Sequence, residues 1–484
     1  MTKGLDQLTS GSKIYFIGIG GISMSGLALL ASGYGFEVGG SDMNPSERTN
    51  MLKSKGITVY DSQVEENLIE FKPDYIVKTA ACLPTNREVR YATENNIKMY
   101  DRSEFLGMIT ESYDSVINIS GTHGKTTTTA MTSLMLLESG KDPTVHLGAD
   151  FYSFNGTVRL GKKKDILVSE ACEFKRSFLN FSSTTAAITN IDHDHVDCYP
   201  LLQDVIDVFA LFLDKLSDGG NVVVTGHCKN TSESLKIASE KWKKEGRKEF
   251  KVYTCGLEGG ICAYTGKEPD MVAGNISYEG GLPEFDCTFM GNYIGRAKLQ
   301  IPGKHNIDNS LIALCCALLN GGDPESCIKA LNEYKGADGR FTTKGTYRGA
   351  SVVVDYAHHP AAARATIEAA SHIPHNNMWV VFQPLTFNRT KMLFEDYVTS
   401  LLPCRKVLFS EIFSDREINT HEISSLDIAR EINKRGGDAE FFEKKEDIIG
   451  RLDELVSKDD LILILGPEDI RELGDELVKK GKIR

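Results

Sequence analysis

The segment Gly121-Thr122-His123-Gly124-Lys125-Thr126 has the composition of a loop that binds phosphate. Small residues let backbone N–H groups face an anion, and the positive end of a following helix adds to the attraction. Lys125 supplies a full charge, and we expect its side chain to face solvent when no nucleotide is bound. The longer phosphate-loop pattern is not met, since Ile119 stands at its first glycine. The loop, together with Thr127 at the start of a helix-like stretch, is predicted to bind phosphate groups.

Oxygen and nitrogen ligands for a metal ion are predicted beside this loop. The Thr126 hydroxyl is suited to Mg2+, which prefers hard oxygen ligands. Glu170 ends one strand candidate, and His195 lies in the segment 190–197 after the next strand candidate. The carboxyl ends of parallel strands meet at one edge of a sheet, where phosphates bind. We therefore predict that Thr126 and Glu170 bind the metal, and that His195 is either a further metal ligand or a neighbour of the phosphates.

A second glycine-rich loop, Gly18-Ile19-Gly20-Gly21, follows an apolar run and precedes a helix-like stretch. Asp42 lies about twenty residues beyond it, as in proteins that bind a dinucleotide. A nicotinamide-dependent oxidoreductase is therefore one alternative. That alternative is weakened because Ser23 replaces the third glycine and because it gives no role to Lys125 or Glu170.

Three series of alternating strand-like and helix-like segments predict the architecture that positions these loops. The fold class is α/β with three domains. A Rossmann-like domain is predicted at 1–113, a central ATP-binding domain of the P-loop type at 114–338, and a Rossmann-like domain at 339–484. Short strands between 250 and 302 are predicted to be antiparallel.

Bulk properties exclude several classes of protein. The 484 residues carry a formal net charge of -12, which argues against a nucleic-acid partner. The eleven cysteines are scattered and contain no CxxC pair, so neither a disulfide framework nor a zinc site is predicted. No signal peptide and no apolar run long enough to span a membrane is seen. We expect a cytoplasmic protein with no membrane partner.

Taken together, the motifs resemble those of the Mur ligase family over essentially the whole chain, and in detail the branch that adds L-alanine. The phosphate loop has the shorter GTxGKT form of Mur ligases and folylpolyglutamate synthetases. The other matching segments, in chain order, are Gly18 to Ala28, Asn190 to Tyr199, Gly303 to Asn309, Asp355 to Pro360, and Phe382-Gln383-Pro384 with Arg389-Thr390.

This resemblance implies an ATP- and Mg2+-dependent ligase whose substrates are UDP-N-acetylmuramate and L-alanine. It implies catalytic roles for Lys125, Glu170, His195, Arg340 and His358. Asn306, Asn309, Arg340 and Asp355 would join the phosphate loop in binding ATP. The residues implied to bind the UDP-sugar are Gly18, Gly20, Gly21, Met24, Ser25, Asp42 and Thr79, with weaker matches at Ala80, Ala81 and Arg102. The residues implied for the amino-acid pocket are Tyr356, His358, Leu385 and Arg389.

Three departures from the family pattern keep other functions open. Leu385 stands where the L-alanine branch often has His, Gly339 precedes Arg340 where a second Arg is common, and Gly466-Pro467-Glu468-Asp469 replaces a glycine-richer turn. A related ligase that adds a different amino acid or a peptide is therefore one alternative. A nucleotide-binding protein without catalytic activity is another.

Overall fold

The computed structural model describes residues 4–79, 82–196, 198–414 and 417–483. Ala80, Ala81 and Asp197, which belong to the motifs above, lie outside the described residues. The chain forms two compact units. The first comprises Met1–Ile191, Ile206–Met271 and Ile312–Ala330, and the second comprises Asp192–Val205, Val272–Leu311 and Leu331–Arg484.

The first sheet of the first unit is parallel and has five strands in the order β3-β2-β1-β4-β5. Its strands are β1 Lys13–Ile17, β2 Glu37–Ser41, β3 Thr58–Tyr60, β4 Tyr75–Lys78 and β5 Lys98–Asp101. Its helices are α1 Ile22–Gly33, α2 Glu47–Ser54, α3 Glu65–Phe71, α4 Arg87–Glu94 and α5 Arg102–Thr110. Most of β1 is buried, as expected for a central strand covered on both faces. This arrangement confirms the α/β prediction.

The sheet that carries the phosphate loop follows in the same unit. Its strands are β6 Ser115–Ser120, β7 Thr144–Phe151, β8 Gly156–Arg159, β9 Ile166–Glu170, β10 Ser183–Ile188, β11 Leu216–Thr225 and β12 Lys251–Leu257. They lie in the order β12-β11-β10-β6-β9-β7-β8. All neighbours are parallel except the β7–β8 hairpin. The helices of this stretch of chain are α6 Lys125–Glu138, α7 Leu202–Leu213 and α8 Lys229–Glu245.

Strands β13 Met271–Glu279, β14 Leu282–Phe289 and β15 Asn292–Lys298 come next, followed by helices α9 Lys304–Leu319 and α10 Pro324–Glu333. β14 and β15 pair antiparallel, as predicted for residues 250–302. The prediction is wrong for β12 in the same range, because β12 extends the parallel part of the preceding sheet by pairing with β11.

The last sheet lies in the second unit and has six strands in the order β16-β17-β21-β18-β19-β20. The strands are β16 Thr342–Tyr347, β17 Ala350–Asp355, β18 Met378–Phe382, β19 Val407–Ser410, β20 Ala439–Phe442 and β21 Leu461–Leu465. The helices are α11 Pro360–Ser371, α12 Phe387–Met392, α13 Phe394–Leu401, α14 Ser425–Lys434, α15 Lys445–Leu455 and α16 Glu468–Ile483. Alternate residues of β17 enter two hydrophobic clusters, Val353 in one and Val352 and Val354 in the other, so both faces of the sheet are covered.

Three α/β sheets therefore follow one another along the chain, while the division at residues 113 and 338 stays a prediction. Among the described helices, none combines the length and the apolar character that a membrane span requires.

Candidate active site

The phosphate loop lies between β6 and α6, as predicted. Gly124 precedes the helix with φ of +85° and Gly121 has φ of +133°, conformations that favour glycine. A Cβ at Gly121 would lie 2.0 Å from Oγ1 of Thr189. Both glycines are therefore required by the backbone, and the loop leads directly into the N-terminus of α6, the end of a helix that attracts anions.

Asn190 holds the loop in shape. Its Oδ1 accepts from the backbone N–H of His123 at 2.9 Å, and its Nδ2 donates to the His123 carbonyl at 3.0 Å. Asn190 follows β10, which pairs with β6, so strand order brings it beside the loop. Sequence analysis placed Asn190 in a family motif but did not find this positioning role. Its location directly after a neighbouring strand was the available signal.

Lys125 differs from the prediction. Its side chain is only 13% exposed, and its ammonium group donates to the Gly121 and Thr122 carbonyls and to Glu173 at 3.0 Å. The expectation of a solvent-facing lysine is therefore wrong, because the buried Glu173 carboxylate supplies a partner. Burial is the largest single influence and favours the neutral amine, but the hydrogen bond to Glu173 and the combined attraction of Glu173, Cys172 and Glu170 outweigh it, so the pKa of Lys125 is raised. Glu173 was missed by sequence analysis.

The predicted oxygen ligands Thr126 and Glu170 are brought together. The Thr126 hydroxyl donates to Oε1 of Glu170 at 3.1 Å, and the backbone N–H of Gly148 donates to Oε2 at 2.9 Å. Glu170 ends β9, which pairs with β6. A hydroxyl and a carboxylate at the edge of the sheet, beside a helix N-terminus, fit the preference of Mg2+ for hard oxygens.

His195, the third predicted metal ligand, belongs to the second unit. It has φ of +49°, and its carbonyl accepts from the backbone N–H groups of Cys198 and Tyr199 at 2.7 and 2.9 Å. Its role as a metal ligand remains a prediction.

The glycine loop of the first sheet gathers most of its predicted residues. Gly20 N–H donates to the Asp42 carboxylate at 2.9 Å, and a Cβ at Gly18 would lie 2.8 Å from Cγ2 of Thr79. Met24 and Ser25 are buried in α1, and the Ser25 hydroxyl donates to the Ile22 carbonyl.

Ser23, in the first turn of α1, joins two residues from other elements. Its hydroxyl accepts from Nη1 of Arg102 at 3.1 Å and lies 3.0 Å from Nε2 of His146. Burial, with Arg102 nearby, lowers the pKa of His146 to about 3, so the imidazole is neutral at pH 7. Sequence analysis found Arg102 only by resemblance and missed Ser23 and His146 as partners, since their spacing carries no local signal.

Asn306 and Asn309 lie one turn apart on α9, as predicted. Nδ2 of Asn309 donates to Oδ1 of Asn306 at 3.0 Å, and Nδ2 of Asn306 donates to the Pro302 carbonyl at 2.7 Å. Both side chains are buried. Each amide thus fixes the other, and their proposed contact with adenine remains a prediction.

The predicted amino-acid pocket contains a buried ion pair. Arg389, only 2% exposed, contacts Oδ1 of Asp194 through Nε at 2.8 Å and Nη2 at 2.7 Å. Burial alone would raise the pKa of Asp194, but Arg389 and three histidines hold it well below its usual range. Arg389 is therefore already engaged, which restricts the role in binding a substrate carboxylate that the sequence suggested.

His358 and Leu385 complete this pocket. Nδ1 of His358 lies 2.8 Å from the Tyr356 carbonyl, and burial, with Arg389 nearby, holds the pKa of His358 well below its usual range. The neutral imidazole can accept or donate a single proton. The Leu385 carbonyl lies 3.4 Å from Nη1 of Arg389, and the Leu385 side chain offers no polar group.

Arg340 and Asp355 lie at the neighbouring end of β17. Both oxygens of Asp355 are fixed by backbone N–H groups, those of Phe341 at 2.7 Å and Ala357 at 2.8 Å. The Arg340 guanidinium lies 4.9 Å from the ring centroid of Tyr356. The structure thus brings Arg340, Asp355 and Tyr356 together as one cluster.

Three family models match successive parts of the chain. Residues 13–114 match the Mur ligase family catalytic domain, 119–317 the Mur ligase middle domain, and 339–467 the Mur ligase glutamate ligase domain. The chain belongs to the Mur ligase family, which confirms the resemblance and the three-part α/β fold.

Two sequence relatives and one crystal structure illustrate which members of the family this chain is similar to. The UDP-N-acetylmuramate–L-alanine ligase from Lachnoclostridium phytofermentans is 37% identical to this chain, over 98% of this chain and 99% of the relative. The ligase of the same name from Clostridium botulinum strain Kyoto is 39% identical, over 96% of each chain. The crystal structure of the UDP-N-acetylmuramate–alanine ligase MurC from Thermotoga maritima is similar with a TM-score of 0.79 and 25% identity, covering 97% of this chain and 99% of that one.

Proposed function

We propose that this chain joins L-alanine to the lactyl carboxylate of UDP-N-acetylmuramate at the expense of ATP, in the cytoplasmic stage of peptidoglycan synthesis. The observation that carries the proposal is the phosphate loop with Lys125 at the start of α6 and the Thr126–Glu170 oxygen pair beside it. The names and near-complete coverage of the relatives support the choice of substrates.

The chemistry requires activation of a carboxylate, whose oxide is a poor leaving group. Transfer of the γ-phosphoryl group of ATP to the carboxylate gives an acyl phosphate and ADP. The neutral amine of L-alanine then attacks the acyl carbon, phosphate leaves, and the nitrogen loses a proton. Negative charge is concentrated in both steps, so fixed positive charge lowers both barriers.

Within this reaction we assign Lys125 and the N-terminus of α6 to the phosphates of ATP. On nucleotide binding, Lys125 would exchange part of its contact with Glu173 for phosphate oxygens. Mg2+ would be held by Thr126, Glu170 and His195, and when bound it supplies charge neutralisation at the phosphates. Asn306, Asn309, Arg340 and Asp355 are assigned to the nucleotide as well.

The glycine loop is assigned to the UDP-sugar. In this loop of Gly18, Gly20 and Gly21, Asp42 accepts from the Gly20 N–H, and Thr79 and Asp42 leave no space for side chains at Gly18 and Gly20. Ser23, with Arg102 beside it, extends this surface with a hydroxyl and a cation.

The amine is assigned to the pocket of Tyr356, His358, Leu385 and Arg389. Because Arg389 is paired with Asp194, it offers the carboxylate of L-alanine less than a full charge. We therefore expect L-alanine to be the preferred amine but to have a high KM. Leu385→His would add a polar partner and lower the KM for L-alanine.

The decisive experiment measures phosphate release with ATP, Mg2+ and UDP-N-acetylmuramate against a panel of amines. L-alanine should give the highest kcat/KM. If glycine, serine or a peptide amine exceeds L-alanine tenfold, a difference of about 1.4 kcal/mol, the related-ligase alternative is correct. Nucleotide binding without phosphate release from any amine would identify a protein that lacks catalytic activity.

A further inference from the structure

The space beside Gly339 is filled by an arginine from another element. Gly339 has φ of +67°, a conformation that strains other residues. A Cβ built on it would lie 1.7 Å from Nη1 of Arg471, at the end of the first turn of α16. The guanidinium of Arg471 thus occupies the position that a side chain at residue 339 would need.

Arg471 shares one aromatic partner with Arg340. The two guanidinium carbons lie 5.2 and 4.9 Å from the ring centroid of Tyr356. Both positive charges are therefore within about one Debye length of each other at ordinary ionic strength, about 10 Å. Both side chains are partly exposed, so a ligand can reach them.

The start of α16 is held in place by three other elements. Gly466 N–H donates to the Asp355 carbonyl at 3.1 Å. The Asp469 carboxylate accepts from Nε2 of Gln383 at 3.0 Å and from Nζ of Lys445 at 2.8 Å. Arg471 is thus carried by a helix whose start is fixed to β17, to the residue that follows β18, and to α15.

The turn that carries Arg340 is fixed to the same strand end. Tyr356 N–H donates to the Gly339 carbonyl at 2.9 Å, and Asp355 accepts from the N–H of Phe341. Arg340 and Arg471 therefore approach Tyr356 from two backbones that are both anchored at the end of β17. This rigidity favours binding of a group with defined geometry.

We propose that Arg471 binds a phosphate group of the nucleotide together with Arg340, and that it supplies from α16 the second guanidinium that Gly339 cannot. The inference rests on the proposed function, in which Arg340 serves the nucleotide. A planar guanidinium can bind two phosphate oxygens at once. The two guanidinium groups beside the Tyr356 ring can therefore bind a single phosphate together.

The first test compares Arg471→Ala, Arg471→Lys and the control Arg430→Ala, a 70% exposed arginine of α14. We expect Arg471→Ala to lower kcat/KM for ATP at least tenfold, with the KM for UDP-N-acetylmuramate within twofold of the parent. Arg471→Lys keeps the charge but loses the planar guanidinium, so its kcat/KM for ATP should lie between those of the parent and Arg471→Ala. A twofold or smaller change in kcat/KM for ATP with Arg471→Ala would overturn the proposal, whatever happens to the melting temperature.

A reciprocal test uses the contact with residue 339. Gly339→Arg alone should impair ATP use, because its side chain collides with Arg471. Gly339→Arg combined with Arg471→Ala should recover at least threefold in kcat/KM for ATP over Arg471→Ala alone. Gly339→Ala with Arg471→Ala is the matched control for backbone strain and should show no recovery. Equal activity of the two double variants would contradict a shared position for the two guanidiniums.

Binding of the non-hydrolysable analogue AMP-PNP with Mg2+ separates this inference from the proposed function. A parent protein that binds AMP-PNP but releases no phosphate would contradict the ligase proposal alone. In that case the dissociation constant of AMP-PNP tests the role of Arg471 directly. The same measurement can be made on Arg471→Lys if Arg471→Ala is poorly folded. A Kd for Arg471→Lys equal to that of the parent would then overturn the inference.

Discussion

Replacing Lys125 should destabilise the first unit as well as abolish ligation, because Lys125 is the partner of a buried carboxylate. Glu173 is 2% exposed and lies 3.0 Å from the Lys125 ammonium. At an effective dielectric constant of about 20, their attraction is roughly 5 kcal/mol before the cost of desolvation. Removing one member of a buried pair typically costs about 3 to 5 kcal/mol, since the other charge stays buried without a partner.

The tryptophan residues of the chain allow this prediction to be tested by fluorescence. Its two tryptophans are buried, Trp242 in the first unit and Trp379 in the second. In a Trp379→Phe background, urea unfolding followed by fluorescence reports the first unit alone, which matters because multidomain chains do not unfold in one step. Lys125→Met should lower the free energy of unfolding by about 3 kcal/mol.

Two further variants make the result specific. Lys125→Met with Glu173→Gln removes both charges and should recover much of the lost stability. Lys329→Met breaks an ion pair with Glu138 on α6 whose side chains are 60% and 33% exposed, so it should cost less than about 1 kcal/mol. If Lys125→Met unfolds at the same urea concentration as Lys329→Met, the buried pair does not stabilise the unit and the reasoning is refuted.

Three other predictions concern the metal, the pH dependence and the second unit. Glu170→Gln should shift the Mg2+ titration of phosphate release to higher concentration, because a neutral amide is a weaker ligand; superimposable titrations would make Glu170 a bystander. The pKa of His146 is about 3 in the folded protein and about 6.5 in the unfolded chain, so between these values only the unfolded chain binds the proton. The contribution of His146 to the free energy of unfolding is therefore complete above pH 6.5 and is lost on acidification. Between pH 6.5 and 5 the loss should be about 2 kcal/mol and should vanish in His146→Gln; an unchanged slope of unfolding free energy against pH would disprove it. Asp194→Asn should destabilise the second unit by about 3 kcal/mol in Trp379 fluorescence, since Arg389 stays buried; a change below about 1 kcal/mol would show the pair to be dispensable.

The amino-acid sequence by itself determined the local chemistry of this protein. The glycines, Lys125 and Thr126 could be assigned from spacing alone, because a phosphate loop is a contiguous turn whose function depends on backbone conformation. Glu170 could be placed because strand ends share one edge of a parallel sheet, and Thr126 indeed donates to it. The pairing of Asn306 with Asn309 followed from helical periodicity in the same way.

Only the tertiary structure decided which charges these residues meet. Glu173 lies 48 positions from Lys125, Asp194 lies 195 positions from Arg389, and Asn190 lies 67 positions from His123. No periodicity links residues so far apart, since their contact depends on strand order and on loops that return to the same edge. The same is true of Arg471, whose place beside Gly339 arises because α16 and the turn before β16 are both fixed to the end of β17. Packing, rather than spacing, therefore determines whether a lysine faces solvent or a buried carboxylate.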